Sequence, residues 1–227
     1  MSQSLLPWAE NLRAVLFDFD GTLGDSYPAI TASVNHVRAR HGLPPMSEAE
    51  VRPHVGRGAA NLLQQIVPNS TTLEEDVAAY RAHHPSVLHA GTRLMPGAME
   101  ALRTLSQNGL QVGICSNKPI AFTRDLIAFL GIEPYLHVVL GPEDVAKPKP
   151  DPDMLCEAMI RLKVSAKETL YIGDMVVDIQ TARAANVAVW VVPTGSEDIE
   201  TLRRAQPNRL LRDLYELADI EKENLSN

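Results

Sequence analysis

Five short apolar runs, separated by helical patterns, constrain the fold of this chain more than any other feature. Val, Ile and Leu dominate these runs, which lie at residues 13–19, 110–115, 137–140, 169–172 and 187–192. Short runs of this composition are typical of strands buried on both faces of a parallel sheet. Helical periodicity at residues 96–105, 120–130, 154–162 and 179–185 supplies the connections. Alternating strands and helices predict an α/β fold with right-handed crossovers.

The interval between the first two predicted strands breaks this alternation. Residues 26–94 contain no convincing strand and predict helices at 29–41, 48–52, 59–66 and 73–82. A segment of this length is too long for a loop in a compact domain. We therefore expect an all-helical module at 26–94, inserted into an α/β core made of 1–25 and 95–227. Trp8 is expected to pack on that core.

Composition limits the possible partners and compartment. The chain of 227 residues has 21 basic and 28 acidic side chains, a net charge of −7, which argues against a general nucleic-acid binder. Two cysteines cannot form a disulfide framework and fit a reducing cytosol. We see no apolar run of membrane-spanning length and no secretory signal. The expectation is a cytoplasmic protein, monomeric or homodimeric, without nucleic-acid or membrane partners.

The first strand ends in two acids, Asp18 and Asp20. Residues two apart in a strand point to one face, which predicts that the two carboxylates are neighbours at the carboxyl end of the sheet. Ligands bind at that edge in open α/β folds. Two close carboxylates repel each other, which favours a shared proton or a bound cation. A solvated acidic turn is the alternative interpretation.

Polar residues also follow the next three predicted strands. Ser116 and Asn117 precede a helix, whose N-terminus can hold an anion, although both are also common caps. Lys147 begins a proline-stiffened loop, which is otherwise a solvated linker. Asp174 and Asp178 have the spacing of one helix face, although an acid at a helix start is also a common cap. Acids, anion-binding groups and a lysine at one sheet edge are what phosphoryl transfer requires.

These strand ends resemble the four motifs of the haloacid dehalogenase superfamily. The segment at 18–26, Asp-Phe-Asp-Gly-Thr-Leu-x-Asp-Ser, is similar to the first motif, and Ser116-Asn117 to the second. Lys147-Pro148 is similar to the third, and Gly173-Asp174 with Asp178 to the fourth. The insertion is similar to the superfamily's helical cap on a Rossmann-like core. Within the superfamily, phosphoglycolate-phosphatase-like enzymes show the closest resemblance.

The resemblance implies roles in catalysis and in substrate binding. Asp18 would attack phosphorus and form an aspartyl-phosphate, while Asp20 would protonate the leaving oxygen and later activate water. Lys147 would bridge the phosphoryl group and the nucleophile. In the substrate-binding part of the site, Thr22 would support the loop of the first motif, and Ser116 and the Asn117 amide would hold the phosphoryl group.

The resemblance also implies a Mg²⁺ ion. Its ligands would be Asp18, the carbonyl of Asp20 and Asp174, with Asp178 mostly in an outer position. Carboxylate, carbonyl and water oxygens are ligands that suit Mg²⁺.

The inserted segment supplies further candidates for substrate recognition. Arg57 lies between Gly56 and Gly58, where the backbone can approach a ligand closely; an exposed turn is the alternative. Six of the seven histidines fall in this segment, and we expect them at its surface or at an acidic substrate group rather than on a metal.

Three functions remain open from the sequence. The first is a Mg²⁺-dependent phosphatase acting on a small phosphorylated metabolite such as phosphoglycolate. A sugar-phosphate mutase, which shares the four motifs, and a non-catalytic phosphate-ligand-binding protein of the same fold are the alternatives. Asp20 argues against a dehalogenase, and the absence of lysine from residues 26–94 argues against a Schiff-base phosphonatase.

Overall fold

The computed structural model of the protein describes residues 11–68 and 72–218. The expected packing of Trp8 lies outside these described residues. Within them, no helix combines the length and the apolar character of a membrane span.

The core is a parallel sheet of six strands. Its strands are β1 (Ala14–Phe17), β4 (Gln111–Cys115), β5 (Val138–Leu140), β6 (Thr169–Gly173), β7 (Ala188–Val191) and β8 (Arg209–Leu210), in the spatial order β5-β4-β1-β6-β7-β8. The five predicted strands are confirmed, with ends that differ by at most two residues. The sequence pattern missed β8, because a strand of two residues shows no periodicity.

Helices cover both faces of this sheet. Their bounds are α6 (Ala98–Gln107), α7 (Ile120–Phe129), α8 (Asp153–Leu162), α9 (Val176–Ala184), α10 (Ile199–Arg204) and α11 (Tyr215–Ala218). Alternate residues of β1 enter two separate apolar clusters: Val15 and Phe17 pack with α6 and α7, whereas Ala14 and Leu16 pack with α8 and α9. Because both of its faces are buried, β1 is apolar throughout. This confirms the predicted α/β architecture.

Residues between β1 and β4 form the helical cap. An antiparallel ribbon of β2 (Gly24–Asp25) and β3 (Arg93–Leu94) connects it to the core. The cap helices are α1 (Tyr27–Arg40), α2 (Glu48–Val51), α3 (Ala59–Ile66), α4 (Leu73–His83) and α5 (Pro85–Leu88). They bury an apolar cluster of their own, which includes Val34 and Leu63. The domain division at 25/26 and 94/95 stays a prediction, although both positions lie at this ribbon.

Candidate active site

The loop after β1 carries two acids that face different partners. Strand β1 ends at Phe17, and the Asp18 amide extends its ladder by donating to the Ile172 carbonyl at 2.9 Å. The chain then turns at Gly21, whose φ is +86°. A Cβ on Gly21 would lie 2.4 Å from the Asp174 carboxylate, so this turn requires glycine. The turn brings the loop against the end of β6.

Three buried carboxylates meet at this edge of the sheet. Asp18, Asp174 and Asp178 each present an oxygen within 4.8 Å of the others. Asp178 lies in the first turn of α9 and accepts the Asp174 and Met175 amides at 3.1 and 3.0 Å. Thr22 is fully buried and donates to Asp174 at 2.6 Å, so it orients that acid. It is not among the residues that line the cleft between cap and core, and its contribution to substrate binding stays a prediction. Two further oxygens, Asp18 Oδ1 and Asp174 Oδ2, are buried without a hydrogen-bond partner among the described residues.

The lysine of this cluster is Lys149, and the prediction of Lys147 was wrong. The Lys149 ammonium lies 3.0 Å from Asp18 and 2.7 Å from Asp178, with its side chain 1% exposed. Lys147 points outward, 68% exposed, and its nearest acid is Asp151 at 3.8 Å. Both lysines precede a proline, so the local sequence did not distinguish them.

The electrostatics of the cluster favour a bound cation. Burial raises the pKa of Asp18 to about 6, although the Lys149 ammonium opposes the shift. Burial, together with the charges of Asp178 and Asp18, raises the pKa of Asp174 well above its usual value. Three ionised carboxylates beside one ammonium leave a net charge of −2, which a divalent ion would offset. The unpartnered oxygens on Asp18 and Asp174 are suited to hold it.

Asp20 lies apart from this cluster, on the side of the cap. Its carboxylate accepts hydrogen bonds from the Ser26 hydroxyl and from the Lys118 ammonium, the latter at 2.9 Å. Lys118 was not among the predicted site residues, although its place directly after Ser116-Asn117 at the end of β4 was a signal. The Asp20 carboxylate is not among the described acidic groups that lie close enough together to share a metal ion, so a metal contact from Asp20 through its main-chain carbonyl stays a prediction.

The residues after β4 connect the cap, the core and Lys149. The Asn117 side chain accepts the Lys149 amide and donates to the Lys149 carbonyl, both at 3.0 Å. The same side chain donates to the carbonyl of Gly56 in the cap at 3.2 Å. Ser116 is buried and accepts the Lys118 amide at 3.3 Å. Asn117 therefore holds Lys149 in place, which leaves its main-chain amide for the predicted phosphoryl contact.

A cleft between cap and core reaches both Asp18 and Asp20. Ser116, Asn117 and Lys118 line its core side. The cap contributes mainly apolar and aromatic residues, namely Ile30, Val55, Gly56, Gly58, Ala59, Leu62, Tyr80 and His84. The cleft is therefore polar at the sheet edge and apolar beneath the cap.

Arg57 and most of the cap histidines do not line this cleft. Gly56 and Gly58 line it, but the exposed Arg57 side chain does not, and its charge acts on Glu197 of the core. His84 alone among the histidines faces the cleft. In the described part of the chain, the group suited to hold a metal contains only the three aspartates.

The chain is similar in sequence and fold to proteins named as phosphatases and hydrolases. The family model of the haloacid dehalogenase-like hydrolases matches residues 15–192. The chain is 35% identical to a phosphoglycolate phosphatase of Rhodospirillum rubrum, over 81% of this chain and 80% of that protein. It is 31% identical to a phosphoglycolate phosphatase of Yersinia pestis, over 91% of each. The structure of a predicted phosphoglycolate phosphatase from Haemophilus somnus is similar, with a TM-score of 0.85 and 25% identity, covering 92% of this chain and 96% of that one.

Proposed function

Because this chain belongs to the haloacid dehalogenase-like hydrolases, we propose that it hydrolyses a small phosphorylated metabolite through an aspartyl-phosphate on Asp18. One observation carries the proposal: Asp18 lies where the buried acid–lysine cluster meets the cleft. A carboxylate placed there has access to a ligand on one side and a fixed ammonium on the other. Its relatives named phosphoglycolate phosphatase support a phosphoglycolate-like substrate.

The first half-reaction forms the phosphoenzyme. A carboxylate oxygen of Asp18 attacks phosphorus, the ester P–O bond breaks, and the departing oxygen takes a proton from the Asp20 carboxyl group. Lys149, held by Asn117 and Asp178, offsets negative charge on the attacking carboxylate and on the phosphoryl oxygens. Because Lys149 is held in place before substrate binds, little reorganisation opposes the step.

The second half-reaction releases phosphate. Asp20, now ionised, accepts a proton from water, and the water oxygen attacks phosphorus as the bond to Asp18 breaks. Both acids return to their starting states. The cap contacts the core beside this cleft, where the Asn117 side chain donates to the Gly56 carbonyl, and a cap in this position would limit the water that reaches the phosphoenzyme.

The donor set fits Mg²⁺. Asp18 and Asp174 would hold it through the two buried oxygens without partners, while Thr22 orients Asp174 and Asp178 orients Lys149. When bound, the ion would offset the charge of the acids and of the phosphoryl group.

The test is phosphate release from a panel of phosphorylated metabolites in the presence of Mg²⁺. Asp18→Asn preserves the shape of the side chain but removes the attacking charge, so turnover should fall by at least about 10⁴-fold. The exposed Asp125 provides the matched control, and Asp125→Asn should keep full activity. Turnover by Asp18→Asn within tenfold of wild type would refute the role of Asp18.

The same panel tests the alternatives. A sugar-phosphate mutase would transfer the phosphoryl group between positions of a sugar with little release of free phosphate. A binding protein would retain ligands and release none. The apolar cap surface favours hydrolysis of a small ester over a mutase reaction, because a sugar hydroxyl buried there would lack hydrogen-bond partners.

A further inference from the structure

A positively charged side chain lies in the cleft next to Asp20, the acid of the proposed reaction. Among the described residues that line the cleft, Lys118 is the only lysine or arginine. Its side chain is 3% exposed, and the ammonium lies 2.9 and 3.2 Å from the two oxygens of Asp20. The cap, residues 26–94, contains no lysine. Any anionic group on the departing half of a substrate would therefore find its charge partner in Lys118.

The cleft that contains Lys118 is also lined by three uncharged aromatic side chains. The rings of Tyr80 and His84 stack with centroids 5.0 Å apart, and His84 meets Phe122 edge-on at 4.9 Å. Burial lowers the pKa of His84 to about 3, so its ring is neutral at physiological pH. We call Tyr80, His84 and Phe122 the aromatic wall. The aromatic wall can pack against apolar groups of a substrate but provides no positive charge to bind an anion.

The position of Asp20 limits where the anionic group would be. An acid that protonates the ester oxygen must come within hydrogen-bonding distance of it. A group on the carbon attached to that oxygen is then near Asp20 as well, within reach of an ammonium 2.9 Å from the same carboxylate. An ammonium has three N–H donors, and the hydrogen bonds described for Lys118 Nζ all go to Asp20. It can thus bind a second carboxylate while it remains near the first.

We propose that Lys118 determines specificity by binding a carboxylate on the carbon next to the ester oxygen, and that the aromatic wall accommodates an alkyl substituent on that carbon. This inference rests on the proposed function, because it takes Asp20 as the group beside the ester oxygen. The substrate class is a phosphorylated 2-hydroxy acid, including acids larger than glycolate. A sugar phosphate lacks the carboxylate and presents hydroxyls to an apolar surface.

The experiment compares kcat/KM for three substrates in the presence of Mg²⁺. These are 2-phosphoglycolate, 2-phospholactate and 2-hydroxyethyl phosphate, in which a hydroxymethyl group replaces the carboxylate. Wild type should prefer both acids over the alcohol. Lys118→Gln should reduce that preference about 10- to 100-fold, the usual effect of one hydrogen bond to a charged group. Lys118→Arg should retain part of it, and Lys147→Gln, which alters an exposed lysine, should leave it unchanged.

The ratio of kcat/KM values between the acid substrates and the alcohol shows whether Lys118 recognises the substrate carboxylate or has only a structural role. If Lys118 only positions Asp20, Lys118→Gln slows all three substrates equally, and the unchanged ratio overturns the inference. Equal activity of wild type on the acids and the alcohol overturns it too, while the proposed phosphatase function stands. If wild type hydrolyses none of the three, the affinities of the Asp18→Asn variant test the inference. This variant should bind 2-phospholactate at least tenfold more tightly than 1-hydroxypropan-2-yl phosphate, in which a hydroxymethyl group replaces the carboxylate, and equal affinity refutes the inference.

Discussion

Replacing Lys149 by methionine should damage both stability and turnover, whereas the same change at Lys147 should affect neither. The Lys149 ammonium is the only described cation that contacts Asp18 and Asp178, at 3.0 and 2.7 Å. Methionine approximates the length and volume of the side chain but leaves these buried carboxylates without their partner. Breaking a buried ion pair typically costs about 3–5 kcal/mol. Lys147 is 68% exposed, and its ion pair at 3.8 Å is worth about 0–0.5 kcal/mol.

The free energy of unfolding in urea measures the first effect, with chelator in one series and Mg²⁺ in the other. Lys149→Met should lose about 3–5 kcal/mol in chelator. It should lose less with Mg²⁺, because the ion offsets part of the same negative charge. Turnover at saturating substrate should fall about 10²- to 10³-fold, since a fixed charge at the reacting group is lost.

Lys147→Met is the matched control, because it makes the same chemical change two residues away. Normal turnover and stability are expected. Loss of turnover in Lys147→Met, with Lys149→Met active, would refute the placement of Lys149 at the nucleophile. Equal destabilisation by Lys147→Met and Lys149→Met would show that the burial of Lys149 does not determine how much its ammonium contributes to stability.

Three further predictions concern the acids. Asp20→Asn should slow the phosphoenzyme burst about 10²- to 10⁴-fold for an alkyl phosphate but far less for p-nitrophenyl phosphate, which needs no proton to depart; equal slowing in single-turnover experiments would exclude Asp20 as the acid. Chelation should stop turnover and Mg²⁺ should restore it, so full activity in excess chelator would contradict the metal site. Burial raises the pKa of Asp18 from 3.8 to about 6, so the folded protein keeps a proton that the unfolded chain has released. The unfolding free energy of the metal-free protein should therefore fall as pH rises from 3.8 to about 6. In Asp18→Asn the unfolding free energy should depend less on pH over this range. A pH dependence equal to that of wild type would contradict the raised pKa of Asp18.

The sequence by itself determined the parallel core, the inserted helical cap and the positions of the strand-end acids. These features depend on local patterns. A strand buried on both faces must be apolar throughout, as β1 is, and the carboxyl ends of parallel strands necessarily share one edge. Asp18 and Asp174 were therefore expected at one edge once the strands were recognised, and the first turn of α9 adds Asp178 to them.

Only the tertiary structure decided which lysine enters the site and what each acid contacts. Lys147 and Lys149 have the same local context, and burial against Asp178 and Tyr171 distinguishes them. Asp18 and Asp20 are two residues apart, but the turn at Gly21 and the approach of Lys118 from β4 give them separate partners. Such choices depend on which side chains from distant segments fill the same buried space, and packing of that kind leaves no periodic signal in the sequence.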